Sequence, residues 1–300
     1  MSALFFAVAA LQLTTPPVAS LLPTNHAFRL VWHDEFDGDR LDASKWNYRT
    51  NFWGKRANWF ATPEDRAVTL EGGFLHLKIV RRADGSFCSP QLQTGGALWD
   101  ELSPTNGRGV VWPFRPRQMP KFLHRYGYYE CRCRTQTKPG WWTAFWLQSP
   151  ANGATLDPRR SGVECDIMES FDPGYHTVHA FHYNGCGPEY RRFNAQRAPY
   201  TPTPDSAWKA KFPIPTGEFH TFGLLWEPDG YTVFVDGRQS GYKVGRSGDE
   251  VVSETEEFVL LTTELKGFRT KGAPVPEVKG AWSAGDEFVV DYVRVYDWED

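Results

Sequence analysis

The chain consists of short stretches in which apolar and polar residues alternate, each closed by a turn signal of Gly, Pro, Asn or Asp. A period of two is typical of β-strands, and no segment carries the 3.6-residue period of a long amphipathic helix. Many short, regularly punctuated strands predict an all-β fold, an antiparallel β-sandwich, rather than alternating strands and helices. We find no internal repeat or linker, so residues 21–300 are expected to form one domain. The predicted strands are residues 74–80, 126–134, 141–147, 163–168, 176–183, 219–226, 231–235, 258–261 and 287–296.

Composition narrows the class of protein. Three hundred residues, 41% of them hydrophobic and 23% charged, are enough to bury a core and are not typical of a disordered chain. A formal net charge of −3 argues against binding nucleic acid through a basic surface. Aromatic residues reach 15%, including 13 Trp, which indicates an aromatic-lined surface.

The N-terminus resembles an export signal. Residues 3–13 are apolar apart from Gln12, and Val18-Ala19-Ser20 is a small-residue cleavage pattern. The run is too short to span a bilayer, and no Lys or Arg precedes Arg29. We expect residues 1–20 to be a signal peptide and the protein to be secreted or periplasmic without a membrane span. A buried or disordered apolar tail is the alternative.

The cysteines form an odd set of five without a CxxC pair, which gives no support to a zinc ribbon or a thioredoxin-like site. We expect most of them to be buried as small hydrophobic residues. Their pairing stays open. They are Cys88, Cys131, Cys133, Cys165 and Cys186.

Residues 162–170 place three acids inside an otherwise apolar strand. Strand alternation puts Glu164 and Asp166 on one face, but Glu169 would point the other way. A one-residue β-bulge near Ile167 or Met168 would return Glu169 to the acid face. Neighbouring carboxylates disfavour each other's ionisation, so the acids can hold different protonation states at one pH, as acid-plus-nucleophile chemistry requires. A solvent-facing polar strand or a calcium site are the alternatives.

The order Glu-x-Asp-x-x-Glu resembles the active-site signature of glycoside hydrolase family 16, the laminarinase, agarase and carrageenase group. Further segments similar to that family are residues 31–38, 140–147, 219–226, 235–237 and 288–296. Cys165 and Thr143 depart from the family pattern, where an aliphatic residue and Pro are usual. The resemblance covers roughly residues 30–296 and implies a concanavalin-like jelly roll with an open substrate cleft.

The resemblance also implies roles for the three acids. Glu164 would be the nucleophile, Glu169 the general acid/base, and Asp166 would hydrogen-bond the nucleophile. It implies a retaining mechanism, in which the two reacting carboxyl groups lie about 5–5.5 Å apart. No cofactor is expected for catalysis.

Aromatic and polar residues near this strand are candidate substrate contacts. Alternation puts Trp142 and Trp146 on one face of their strand, where the resemblance favours a cleft position and the alternative is the sandwich core. His182 is expected near Glu164, and His179 faces away from it, which argues against one zinc ion bound by His176, His179 and His182. Weaker candidates for the cleft walls are Asn51, Trp53, Trp59 and Trp112.

One further site is implied by the resemblance, a structural calcium ion bound by Glu35, Asp291 and a backbone carbonyl near Gly73. In the last strand, alternation puts Asp291 on the apolar face of Val293 and Val295, where an unpaired carboxylate would be costly. A hydrogen-bonded Asp291 without metal is the alternative.

The sequence therefore favours a secreted endo-glycosidase that acts as a monomer on a β-1,3- or mixed-linked glucan. An algal, sulfated galactan such as agar, porphyran or carrageenan is the alternative substrate. A basic cluster would then contact its charged groups; otherwise that cluster is a solvated face. A non-catalytic lectin on the same sandwich would need the Trp residues but not the acids. No nucleic acid partner is expected. The basic cluster is Arg115, Arg117, Lys121 and Arg125.

Overall fold

The structure is a computed structural model that describes residues 18–49, 60–96, 118–138, 140–151, 157–170, 177–183, 191–194, 217–245, 250–265 and 285–299. The described chain is almost entirely β, which confirms the predicted fold class. The strands are β1 Ala27–Asp34, β2 Asn47–Tyr48, β3 Val68–Glu71, β4 Phe74–Leu77, β5 Val80–Arg81, β6 Phe87–Cys88, β7 Gln91–Gln93, β8 Gly127–Arg134, β9 Trp141–Gln148, β10 Glu164–Ser170, β11 Thr177–Tyr183, β12 Arg191–Asn194, β13 His220–Glu227, β14 Gly230–Val235, β15 Arg238–Gln239, β16 Phe258–Leu265 and β17 Phe288–Glu299. The helical elements are a 3₁₀ turn, Pro63–Asp65, and the one-turn helix α1, Pro158–Ser161.

Two antiparallel sheets form the sandwich. The first has the order β15-β14-β13-β8-β17-β4-β3, with β1 paired to β17 beyond the end of β4. The second has the order β12-β11-β10-β9-β16-β7-β2. Strand β10, which carries the three acids, therefore lies inside the second sheet with both edges paired. Among the described residues, no helix is long and apolar enough to span a bilayer.

The inner faces of the two sheets meet in one hydrophobic core. Alternate residues of each strand enter it, because successive side chains of a strand point to opposite faces. In β9 and β10 these are Phe145, Leu147, Cys165 and Ile167, each at most 1% exposed. The acids of β10 consequently point to the other face, away from the core. The first sheet contributes Tyr129, Cys131, Cys133, Phe222, Leu224, Trp226, Val293 and Val295 to the same core.

The four cysteines that the structure describes are buried and free, as expected of small core residues. Burial raises the pKa of the Cys88 thiol to about 11, which keeps it protonated near neutral pH. Cys186 lies outside the described residues.

The last strand contains an irregularity at Asp291 that simple alternation did not predict. The pairing of β17 with β8 shifts between Val290 and Tyr292. Val290 and Val293 therefore both enter the core, while Asp291 is half-buried. The expectation that Asp291 shares an apolar face with Val293 and Val295 is wrong, because an extra residue in a strand inverts the alternation beyond it.

Residues 18–22 lie against the outer face of the first sheet. The guanidinium of Arg294 donates from Nη1 to the carbonyl of Val18 and to Oγ of Ser20, both at 2.8 Å. The backbone N–H of Leu21 donates to Oε2 of Glu130 at 2.9 Å. The predicted cleavage after Ser20 would remove both acceptors from Arg294 and leave the new amino group of Leu21 beside Glu130.

Candidate active site

The acid strand β10 contains the predicted one-residue bulge. Against β11, Asp166 pairs with Ala180 and Glu169 with Val178, so β10 has one more residue than its partner between these pairs. The pairing with β9 shifts at the same place, between Asp166 and Met168. Glu169 therefore returns to the face of Glu164 and Asp166, away from the core.

Packing and a buried histidine stabilise this bulge. Ile167 and Met168 are adjacent in sequence, yet both lie in the core and are at most 1% exposed. The carbonyl oxygen of Ile167 is 2.6 Å from Nδ1 of His179, which is fully buried on β11. Burial lowers the pKa of His179 to about 4, so the imidazole is neutral at ordinary pH and donates from Nδ1–H to this carbonyl. His179 is thus a structural residue, on the opposite side of its strand from His182.

Asp166 is paired with His182. Nε2 of His182 lies 2.8 Å from Oδ2 of Asp166, and Asp166 is only 4% exposed. His182 stands directly opposite Glu164 in the β10–β11 register. One ligand atom from each of Glu164, Asp166 and His182 lies within 4.8 Å of the other two, so these residues form one cluster whose spacing would also allow metal ligation. His182 therefore lies next to the acids, as the sequence predicted.

Glu164 receives a hydrogen bond from a residue that the sequence analysis missed. Nε2 of Gln148, the last residue of β9, donates to Oε2 of Glu164 at 2.9 Å. Nη2 of Arg49 in turn donates to Oε1 of Gln148 at 2.8 Å. Alternation along β9 could have identified Gln148, since it shares a face with Trp142 and Trp146. No sequence signal pointed to Arg49, which is 99 residues from Gln148 in the chain.

The two tryptophans predicted for the cleft behave differently. Trp142 is half-buried, and its Nε1 donates to Oε1 of Glu169 at 3.0 Å. Trp146 is 5% exposed and donates to Oγ1 of Thr262 at 3.0 Å. The guanidinium carbon of Arg49 lies 5.0 Å from the Trp146 ring centroid, which covers the indole. Trp146 therefore lies on the predicted face of β9, but its burial corrects the expectation of an open stacking surface there.

A fourth carboxylate lies on the same sheet face. Glu264 of β16 stands opposite Trp142 and is 7% exposed. Its Oε1 accepts a hydrogen bond from Nε2 of Gln91 at 2.9 Å. The sequence analysis did not single out this residue. Asn51, Trp53, Trp59 and Trp112 lie outside the described residues.

The residues implied for calcium are engaged in other contacts. Both carboxylate oxygens of Glu35 accept hydrogen bonds from Arg294, at 2.9 Å and 2.7 Å. Burial alone would raise the pKa of Glu35, but the Arg294 contacts lower it overall. Asp291 pairs with the guanidinium of Arg132, and Gly73 lies in the β3–β4 turn with φ of 82°. Carboxylates that are already neutralised by two arginines do not fit calcium ligation, because the ion would have two positive charges as close neighbours.

Comparisons with known proteins find matches among glycosyl hydrolases and glucanases. A family model for glycosyl hydrolases family 16 matches residues 116–243, which include all of β10. A glucan endo-1,3-β-glucosidase A1 of Niallia circulans is 25% identical over 91% of this chain, and the alignment covers 38% of that protein. A glucan endo-1,3-β-glucosidase of Cryptopygus antarcticus is 28% identical over 91% of this chain and 93% of that protein.

A solved structure has the same fold. The catalytic domain of an endo-1,3-β-glucanase (laminarinase) from Thermotoga petrophila has a TM-score of 0.61 and 21% identity, covering 92% of this chain and 100% of that domain. In its bulged acid strand, its two-sheet fold and these matches, the chain is similar to glycoside hydrolases of family 16.

Proposed function

We propose that this protein is a family 16 glycoside hydrolase, a retaining endo-glycosidase that hydrolyses internal β-linkages of a β-1,3- or mixed-linked glucan. The observation that carries the proposal is the β-bulge of β10, which turns Glu164, Asp166 and Glu169 to one side of the sheet. Retaining hydrolysis needs two carboxyl groups about 5–5.5 Å apart that flank the scissile bond, one of them ionised and the other protonated.

The contacts of each acid support a division of roles. Gln148 donates to Glu164, which favours the ionised form that a nucleophile needs. Trp142 donates to Oε1 of Glu169 and so orients the carboxyl group that would give its proton to the leaving group. Asp166, paired with His182, separates these two groups along the strand.

The reaction would then take two steps. Glu164 attacks the anomeric carbon while the bond to the leaving oxygen breaks and Glu169 transfers its proton to that oxygen. Glu169, now ionised, next takes a proton from water, and the water oxygen displaces Glu164 from the anomeric carbon. Both carboxyl groups return to their starting states, and the product keeps the β-configuration.

The substrate class rests on the relatives, two of which carry the name of a glucan endo-1,3-β-glucosidase. The alternative galactan would need contacts to sulfate groups. Lys121 and Arg125, the described members of the basic cluster, are exposed, and Arg125 donates to the backbone carbonyl of Glu254. A lectin is disfavoured, since it has no need of three acids on one face with matched hydrogen-bond partners.

A product screen tests the proposal. The purified protein is incubated with laminarin, a mixed-linked glucan, agar, porphyran and carrageenan, and soluble oligosaccharides are measured beside a Glu164→Gln variant. Oligosaccharides from laminarin or the mixed-linked glucan, absent with the variant, support the proposal. Release only from a galactan would reassign the substrate, and binding without release would make the protein a lectin.

We also infer that residues 1–20 direct export and that the mature chain acts as a monomer. The apolar run with its small-residue cleavage pattern supports export. Calcium forms no part of the proposal, because Arg294 and Arg132 occupy the carboxylates that would bind it.

A further inference from the structure

We propose that Gln148 and Arg49 are positioning residues that keep Glu164 ionised and hold its carboxylate in one orientation for attack. The inference rests on the proposed role of Glu164 as the nucleophile. Gln148 contacts Glu164 directly, and Arg49 would act on Glu164 through Gln148.

The amide of Gln148 is fixed at both ends. Its side chain is 5% exposed, Oε1 accepts from Arg49, and Nε2 donates to Glu164. Rotating the amide by 180° would put its oxygen against the Glu164 carboxylate and its NH₂ group against the Arg49 guanidinium. Both contacts would then be repulsive, so Arg49 determines that Gln148 offers a donor to Glu164.

Arg49 is itself held in place by buried contacts. It is 4% exposed and follows the short strand β2, where its backbone N–H donates to the carbonyl of Gln91 at 2.7 Å. Its guanidinium lies over the indole of Trp146, which is anchored by Thr262. A buried arginine needs such partners, because an uncompensated buried charge is costly. The buried indole of Trp146 therefore packs against the guanidinium of Arg49 and holds it in place.

The charges around Glu164 explain why this support is needed. Asp166 and Glu169 lie on the same face of its own strand, and the buried carboxyl of Glu257, before β16, adds a further negative charge only when it ionises at high pH. Negative neighbours disfavour ionisation of Glu164. Two contacts favour the ionised form instead. His182 pairs with Asp166, and Arg49 polarises the amide that donates to Glu164. Loss of this donor is therefore expected to make Glu164 harder to ionise.

The test compares the pH dependence of kcat/KM for Gln148→Met, Arg49→Met, Arg49→Lys and the double variant Gln148→Met/Arg49→Met. For Gln148→Met we expect the acid limb to move upward by about one pH unit and kcat/KM at the optimum to fall about tenfold to a hundredfold. Arg49→Met should shift the limb in the same direction, and Arg49→Lys by less, because the positive charge remains. The double variant should be no worse than Gln148→Met alone, because Arg49 acts through that residue.

Gln93→Met is the matched control. Gln93 lies on the same face of the sheet, is 2% exposed and donates to Oε1 of Gln118 rather than to an acid. The acid limb of the kcat/KM profile of Gln93→Met should stay at the wild-type pH. Melting temperatures of all variants separate folding from catalysis. Should Gln148→Met not fold, Gln148→Glu keeps the shape and replaces the donor with a like charge, so the acid limb should shift upward still further.

An unchanged acid limb in a folded Gln148→Met or Gln148→Glu protein would overturn the inference, as would additive losses in the double variant. Glu164→Gln is assayed in parallel. If Glu164→Gln stays active, the proposed function fails. If Glu164→Gln is inactive and the Gln148 variants keep the wild-type profile, only the positioning role fails.

Discussion

The indole Nε1 of Trp142 donates a hydrogen bond to Oε1 of Glu169 at 3.0 Å. The contact joins β9 and β10 across the position where the bulge has turned Glu169 outward. A donor on this carboxylate stabilises its ionised form, which is the form left after the proton has passed to the leaving group. We therefore expect Trp142 to orient the proposed acid/base in addition to forming part of the proposed cleft wall.

Replacing Trp142 by Phe should separate these two roles. Phe keeps an aromatic surface but lacks the N–H donor, so ionisation of Glu169 becomes less favourable. We expect the alkaline limb of the kcat/KM profile to move upward by about one pH unit, with a smaller change in KM. Trp142→Ala, which removes both, should in addition raise KM strongly. An alkaline limb at the wild-type pH in a folded Trp142→Phe protein would contradict the role of the hydrogen bond.

Hydrolysis should retain the β-configuration, with Glu169 acting in both steps. NMR of the first-formed product anomer is the direct measurement. In Glu169→Ala, natural substrates should react at least a hundredfold more slowly, in line with the usual contribution of a general acid/base. An activated aryl glycoside should recover the first step, and added azide the second, as a β-glycosyl azide. An inverted first product would instead mean that a water molecule fits between the carboxyl groups.

Glu257 should make the protein less stable as the pH rises. It is fully buried, and its Oε1 accepts the backbone N–H of Val163 at 3.0 Å, one residue before Glu164. Burial raises the pKa of Glu257 to about 8, against a usual 4.5. Between these values the folded state retains a proton that the unfolded state releases, so the free energy of unfolding falls as the pH rises from about 4.5 to about 8.

Glu257→Gln keeps the acceptor for Val163 and does not titrate. The free energy of unfolding of the variant, relative to that of wild type, should increase by on the order of a few kcal/mol from the acid end of this pH window to its alkaline end. The two proteins should be most similar in stability at the acid end. Thermal or urea melts at several pH values measure the difference. A constant offset between the two curves would mean that Glu257 does not titrate in this range.

The amino terminus offers a fourth test. Mass spectrometry of the exported protein should find Leu21 as the first residue, which would place its α-ammonium group beside the buried carboxylate of Glu130. Glu130→Gln should then cost the form beginning at Leu21 about 1.5–3 kcal/mol, the usual range for a hydrogen bond to a charged group. In a form beginning at Val18, where Leu21 contributes a neutral amide, the same substitution should cost less. Equal losses in both forms would argue against an ion pair.

Local alternation predicted much of the acid site. The two-residue period of β10 put Glu164 and Asp166 on one face, and the five-residue spacing to Glu169 required a bulge near Ile167, which the structure contains. The same rule put His179 and His182 on opposite sides of β11 and placed Trp142 with Trp146 on one face of β9. These features follow from sequence because the direction of a side chain in a strand is set by backbone geometry within a few residues.

The partners of these side chains were decided only by the tertiary structure. Trp142 and Trp146 share a face by alternation, yet one is half-buried at Glu169 and the other lies under Arg49. No sequence feature near Asp291 predicts the bulge that turns this residue out of the core.

Contacts between distant parts of the chain explain the difference. Arg49 reaches Gln148 across 99 positions, because β2 and β9 belong to one sheet whose order differs from the order of the chain. The sequence thus determined which way each acid points. The order of strands determined its hydrogen-bond donors and its neighbouring charges, because contacts between distant strands form only when the sheet is assembled.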